Sequence, residues 1–203
     1  MKYNLLLLML LCIATTVNAQ KDYVITIDGK SYDMALDGNQ EVKIKGKLYN
    51  IGLKKKDTLL LDDAYFEMKY TKDHEVSRVD IDSDIEQIML MTAGGSGLII
   101  QKYGSFNPTM LQEMMLNEVT KESVSYGYEL KREDYEKELS SGETVNILKA
   151  VLTYKGETEV YEVMAQGKKD EGIIVMTMNM NMGVKDGGED MIQLMWNSLK
   201  IKA

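Results

Sequence analysis

The sequence predicts an α+β domain: an antiparallel β-sheet meander with two packed helices, preceded by a small N-terminal β-meander. Three observations carry this. Most of the chain is cut into short segments of alternating apolar and polar residues, separated by glycine-bearing turns such as Asp28-Gly29, Ser141-Gly142 and Lys155-Gly156. Only two stretches, residues 105–123 and 187–202, place apolar residues at helical spacing. The order is strands, helix, four strands, helix, and antiparallel strands with so few helices pack as a sheet with helices on its faces.

Residues 1–19 come first and bear on compartment. Lys2 is followed by an apolar run over residues 5–14 and a polar stretch ending in Val17-Asn18-Ala19. That is the three-part pattern of a secretory signal peptide cleaved near Ala19. The apolar run is about half the roughly twenty residues a spanning helix needs, and no second stretch of membrane length follows. The mature chain is therefore expected to have no transmembrane segment and to be periplasmic or secreted. Leu11, before Cys12, stands where a lipoprotein signal carries a small side chain, which disfavours a lipid anchor there. Cys12 is the chain's only cysteine, so cleavage leaves no thiol, disulfide or thiolate metal site. An exported domain held by its core alone suits a bacterial envelope.

Charge narrows the partners. The chain carries 24 Lys and Arg against 32 Asp and Glu, a formal net charge of −8, and loss of Lys2 takes the mature protein to −9. Nucleic acid and anionic membrane surfaces both require a basic patch, so neither is expected.

Residues 20–63 read as a small β-meander docked on the main domain. The segments VITI, KSYDMAL, EVKIKG, KLYNIGL and DTLLL are punctuated by Asp28-Gly29 and Asp37-Gly38, where Asp and Gly tolerate positive φ. Residues 64–203 form the main domain. AYFEMKY alternates as a strand; IEQIMLMT and GLIIQKY flank the turn AGGSG and read as paired central strands. Asn107 is placed to cap a helix with Pro108 at its first position, and Leu111, Met114, Met115 and Val119 line one face. Four alternating segments then run to residue 181. The closing stretch EDMIQLMWNSLKIK carries an apolar stripe of Met191, Ile192, Met195 and Leu199. Glu189 and Asp190 stand at its positive end, Lys200 and Lys202 at its negative end.

This arrangement of the strand–turn–strand pair, the Asn107-Pro108 helix, the long meander and the closing helix ending in NSLKIK resembles the PsbP/DcrB-like α+β sandwich over residues 64–203. Members of that superfamily serve as accessory subunits, binding partners or envelope proteins and are not defined as a group by catalysis. The resemblance therefore points away from catalysis without identifying a ligand, and no cofactor is expected. The segment before Ala64 departs from the simplest version of the fold.

Six motifs are candidates for chemistry or recognition. Met176, Met178, Met180 and Met182 alternate along a strand and share a face with Ile174. Clustered thioethers outside the cytoplasm can hold Cu(I); the competing expectation is that methionine fills irregular gaps in a core. The opposite face turns from apolar to polar through Ile173, Val175, Thr177 and Asn179, as on a half-covered sheet. The acidic series Asp80, Asp82, Asp84, Glu86 resembles the opening of a calcium loop, but Ile85 and Met91 occupy the places needing Gly and Glu, so a solvated acidic loop is expected. His74 is the only histidine and lies in a polar, turn-like stretch, while Gly94-Gly95-Ser96-Gly97 lacks nucleophile-elbow spacing. Asp186, Glu189 and Asp190 are read as helix-capping residues. Tyr126, Tyr128, Tyr154 and Tyr161 could face a partner or pack sheet edges.

The expected function is that of an exported, non-catalytic bacterial envelope protein binding a partner protein or apolar ligand. Two alternatives stand beside it: a periplasmic methionine-rich copper module, and a structural or assembly component of the envelope.

Overall fold

In the computed structural model, residues 22–180 and 186–202 are described; residues 1–19, read above as a signal pattern and including Cys12, and Met182 lie outside them. The chain divides into two compact units, Met1–Lys56 and Asp57–Ala203.

The first unit holds two separate hairpins rather than one meander. β1 (Tyr23–Ile27) pairs with β2 (Lys30–Met34), and β3 (Asn39–Ile44) pairs with β4 (Lys47–Gly52). Each closes on a two-residue turn with positive φ at both positions, Asp28-Gly29 (49° and 75°) and Lys45-Gly46 (47° and 83°). That backbone matches the right-handed twist of the flanking strands. Asp37-Gly38 does not close a hairpin. It enters β3, where the Asp37 amide donates to the Leu53 carbonyl at 2.8 Å. DTLLL, grouped by sequence with this region, forms β5 (Thr58–Asp62) and pairs with β6 (Phe66–Thr71). That ladder puts it in the second unit, so the division falls at Lys56 rather than at residue 63.

The second unit is mostly antiparallel sheet with two helices, an α+β architecture. Its main sheet has eight strands: β7 (Ser77–Asp82), β8 (Ile85–Met91), β9 (Gly97–Tyr103), β10 (Glu129–Arg132), β11 (Tyr135–Glu138), β12 (Thr144–Tyr154), β13 (Glu157–Gly167) and β14 (Gly172–Asn179). They run in the order β10-β12-β13-β14-β9-β8-β7, with β11 also pairing β12. The expected pairing of residues 85–92 with 97–103 is present as β8–β9. The rim facing β12 is split in two because the Asp134 side chain, not a backbone carbonyl, accepts the Lys149 amide at 2.9 Å.

β7 corrects the reading of the acidic series as a loop. All six of its residues are exposed, so burial imposes no alternation on them and the usual strand signal is absent. Its register with β8 slips between Asp80 and Asp82.

Each face of the sheet is covered differently. One face carries Leu152, Tyr161, Val163, Ile174 and Met176, which cluster with Leu116 from the covering helix. A 3-10 turn (Pro108–Leu111) and α1 (Gln112–Tyr126) pack there, over β12 and β13. Asn107 caps this turn as expected, its Oδ1 accepting from the Thr109 amide at 3.0 Å. The inward stripe passes through Leu116, which is 1 % exposed, while Met114, expected inside, is 55 % exposed. The tighter 3-10 turn ahead of α1 shifts the angular phase of the residues after it.

The other face carries Ile88, Leu98, Ile100, Ile147, Met164 and Val175 against α2 (Gly188–Ser198). Met191, Ile192, Met195 and Trp196 bury into it, and Leu199 follows as the buried C-cap residue. The same cluster takes in Phe66 and Met68 from a three-stranded sheet, β15-β6-β5, in which β15 is Lys200–Ile201. Lys200 and Lys202 thus leave the helix. Laddering of β15 on β6 prevails, and the two ammonium groups pair with Glu67 (2.9 Å) and Asp62 instead of the helix dipole.

Candidate functional site

Beyond α2 the sheet face is open, and strand register decides which side chains meet there. Across β11–β12–β13–β14, Tyr135 faces Ile147, Lys149 faces Glu162, Glu162 faces Thr177, and Val151 faces Val160. Residues two apart in a strand share a face, so these side chains lie in rows on the α2 side. They line a cleft of about 460 Å³ whose other wall is α2, through Glu189, Ile192, Gln193, Trp196 and Asn197.

Glu162 organises the cleft. Its Oε2 accepts from Trp196 Nε1 at 2.9 Å and from Thr177 Oγ1 at 3.3 Å, and its Oε1 accepts from the Tyr135 hydroxyl at 2.9 Å. Three donors from three elements thus satisfy one carboxylate, as a charge in a half-buried setting requires. Desolvation and the neighbouring Glu162 charge both raise the Tyr135 hydroxyl above the ordinary tyrosine value. It is kept as a donor. Trp196, the chain's one tryptophan, is 5 % exposed and held by this bond.

The cations differ in how they are engaged. Lys149 lies 3.9 Å from Glu133, which is also paired with Lys131 at 2.8 Å. Lys137 is half-buried in the cleft wall and makes no ion pair or side-chain hydrogen bond among the described residues.

The residues singled out by sequence sit elsewhere. Met176 is 3 % exposed inside the α1-side cluster, and Met178 and Met180 pack against that cluster, half-buried. The Tyr161 hydroxyl reaches Met180 Sδ at 3.4 Å. His74 is half-buried, its Nδ1 2.6 Å from Thr71 Oγ1. It lines a second cavity, of about 430 Å³, with Asp73, Asp186 and Asp190. Asp186 accepts from Thr92 Oγ1 at 2.7 Å and from the Gly188 amide at 2.9 Å. These bonds, the Thr92 hydroxyl foremost, hold its carboxyl below the usual range. No group of three His, Cys, Asp or Glu side chains among the described residues is arranged to hold a metal ion.

Ser96 is buried and committed: its Oγ accepts from the Met180 amide at 3.0 Å and lies 3.2 Å from the Met180 carbonyl. Glu86 is held by Lys102 and by Arg78 (2.8 Å), which share Asp63 as a second partner at 3.1 Å each. Lys102 and then Arg78 pull the Glu86 carboxyl below its usual range. Burial opposes ionisation of Asp63, but the Tyr65 amide and the two cations outweigh it and lower its value as well. Tyr126, Tyr128 and Tyr154 form one ring cluster with centroids 5.3–6.3 Å apart, whereas Tyr161 is buried beside Glu159.

Sequence reasoning did not find the cleft. Its residues come from β11, β12, β13, β14 and α2, and no local spacing links them. One signal was legible: Val160, Glu162 and Met164 share a strand face, and a carboxylate between two apolar residues in a long strand needs partners.

No family model matches the chain, and no curated protein does. Among solved structures it is similar to a protein of Bacteroides thetaiotaomicron VPI-5482, at 11 % identity and a TM-score of 0.38, over 72 % of this chain and 48 % of that one. The chain thus spans about half of that protein's length. It is also similar to the cyanobacterial PsbP of Synechocystis sp. PCC 6803, at 9 % identity and a TM-score of 0.45, over 71 % of this chain and 92 % of that one. The chain has a weak, fold-level resemblance to the PsbP-like fold.

Proposed function

We propose that this protein is an exported, non-catalytic binding protein of a bacterial envelope, and that its cleft beside α2 receives a partner protein or apolar ligand. The observation that carries this reading is the engagement of Glu162 by three donors. Its carboxylate is engaged by Tyr135, Thr177 and Trp196, an arrangement that fixes two aromatic walls. A general acid or base must instead keep an oxygen within reach of a substrate proton. Around that core an apolar group of Val151, Val160 and Ile192 stands beside charged and polar side chains, among them Lys137, Lys149, Asn179 and Glu189, a mixed surface that can take an apolar group and fix its orientation. Export rests on the signal pattern of residues 1–19, and the envelope on a thiol-free mature domain. The likeness of residues 64–203 to the PsbP/DcrB-like pattern of elements accords with an accessory role.

The test joins compartment to site. Full-length protein expressed in a bacterium of its own kind should be recovered outside the cytoplasm with an N-terminus at Gln20. A photo-crosslinking residue replacing Gln193, in the cleft, should capture a discrete species that the same residue replacing Met110 does not. Retention of residues 1–19 would overturn export. Equal capture from both positions, or a hydrolytic turnover abolished by Glu162→Gln, would overturn the binding reading.

A further inference from the structure

The cleft is a trough with two unlike ends, and its length and charge identify what it takes. Lys137 faces Val145 across β11–β12, and Val151 lies six residues further along β12, about 20 Å at roughly 3.3 Å per residue. The Lys137 end is the C-terminal end of α2: the Leu199 carbonyl after that helix accepts from Ser140, just beyond β11, at 3.1 Å from its amide and 2.7 Å from its hydroxyl. The far end is formed by Val151 and Val160 with Ile192 from α2, bordered by Asn179, which faces Val160, and by Glu189 in the first turn of α2.

Charge distinguishes the ends further. Glu162 is occupied by its three donors and Glu133 by Lys131. Lys137, half-buried and without an ion pair among the described residues, is left to receive an external anion. A cation partly removed from water favours an ion-pair partner. Between the ends, Lys149, Thr177 and Glu162 form a polar floor that an alkyl chain would desolvate at a cost. A polypeptide backbone can hydrogen-bond to such a floor.

We infer that the trough binds an extended peptide segment of a partner protein, about six residues long, with an acidic side chain at Lys137 and an aliphatic one over Val151, Val160 and Ile192. This rests on the cleft being the binding site, as proposed above.

The tryptophan in the wall makes occupancy directly readable, because Trp196 is the chain's only indole. A random seven-residue peptide library displayed on phage is selected against the full chain. Enriched peptides are synthesised and titrated while Trp196 emission is followed, with sodium dodecanoate titrated in parallel. The expected result is a shared pattern of Asp or Glu four to six positions from Val, Ile or Leu. Lys137→Glu should weaken binding about tenfold, and a peptide with Lys in place of its acid should restore it. Val160→Thr, close to isosteric, should weaken binding of the same peptides without altering the far-ultraviolet circular dichroism spectrum. Enrichment of nothing, enrichment of basic in place of acidic residues, or indifference to Lys137→Glu in a folded variant each overturns the inference. A Trp196 response to dodecanoate alone overturns the peptide while leaving the cleft as a ligand site. Silence to both probes removes the two readings together.

Discussion

Trp196 Nε1 donates to Glu162 Oε2 at 2.9 Å, joining the closing helix to the middle of β13 across thirty-four residues of sequence. The bond ties the one indole of the chain to the carboxylate that also holds Tyr135 and Thr177. Removing that carboxylate strands three donors at once. Glu162→Ala is expected to lower the unfolding free energy by about 2–3 kcal/mol, the scale for leaving buried donors without an acceptor. Urea titration checks this, and Trp196 emission in the folded variant should move to the red. Trp196→Phe, which keeps most of the apolar contact, should cost about 1 kcal/mol.

Gly188 opens α2 against the β8–β9 loop. A Cβ at this position would lie 2.4 Å from the Ser96 Cβ, and neither atom is the end of a flexible chain. Gly188→Ala should therefore destabilise by about 1–3 kcal/mol through overpacking, although alanine is the better helix former. Thermal unfolding monitored by circular dichroism decides. A rise in melting temperature would show that the helix start shifts without cost.

Met176 and Met114 should separate sharply. The first is 3 % exposed in the cluster under α1 and the second 55 % exposed on the outer side of that helix. Met176→Ala is expected to cost about 2–5 kcal/mol through lost burial and a residual cavity, and Met114→Ala less than about 0.5 kcal/mol. Denaturant midpoints for the pair measure both.

Acid should weaken the junction of Asp63, Arg78, Glu86 and Lys102. Both carboxyls lie below their ordinary values in the folded protein. Their stabilising share is then present above the unfolded carboxyl range near pH 4 and is lost as pH falls through the lowered folded values. Unfolding free energy measured between pH 7 and pH 2 should decline below about pH 4. The double variant Asp63→Asn/Glu86→Gln should be less stable at pH 7 and should flatten that decline. An unchanged slope would assign the acid sensitivity to other carboxylates.

β12 and β13 were legible because apolar and polar residues alternate along them, and both helices because apolar residues recur at helical spacing. The first of the four expected segments instead splits into β10 and β11, and β14 is buried on both faces over six residues. Met191, Ile192 and Met195 declare an inward stripe, and Asn107-Pro108 declares a helix start. β7 was not legible: an edge strand exposed at Arg78, Val79, Asp80 and Ile81 alike obeys no period. The end of α2 was misjudged for a related reason, since β15 is two residues long and exists only through its ladder with β6. Site residues fared worse. Met176, Met178 and Met180 drew attention by spacing along one strand, whereas Tyr135, Glu162, Thr177 and Trp196 meet only once β11, β13, β14 and α2 are in register. Spacing along a chain encodes faces of single elements, and a cleft between elements is a property of their pairing.

The interrupted rims of the eight-stranded sheet have a further consequence. At Asp134 a side chain takes the place of a backbone acceptor, so neither β10 nor β11 offers more than four residues. At the opposite rim β7 slips register amid Asp80 and Asp82. A second copy approaching edge-on meets no long uninterrupted ladder on either rim, and on one of them it meets like charge. The main sheet therefore terminates itself, and neither of its rims is a template on which a second copy could extend it.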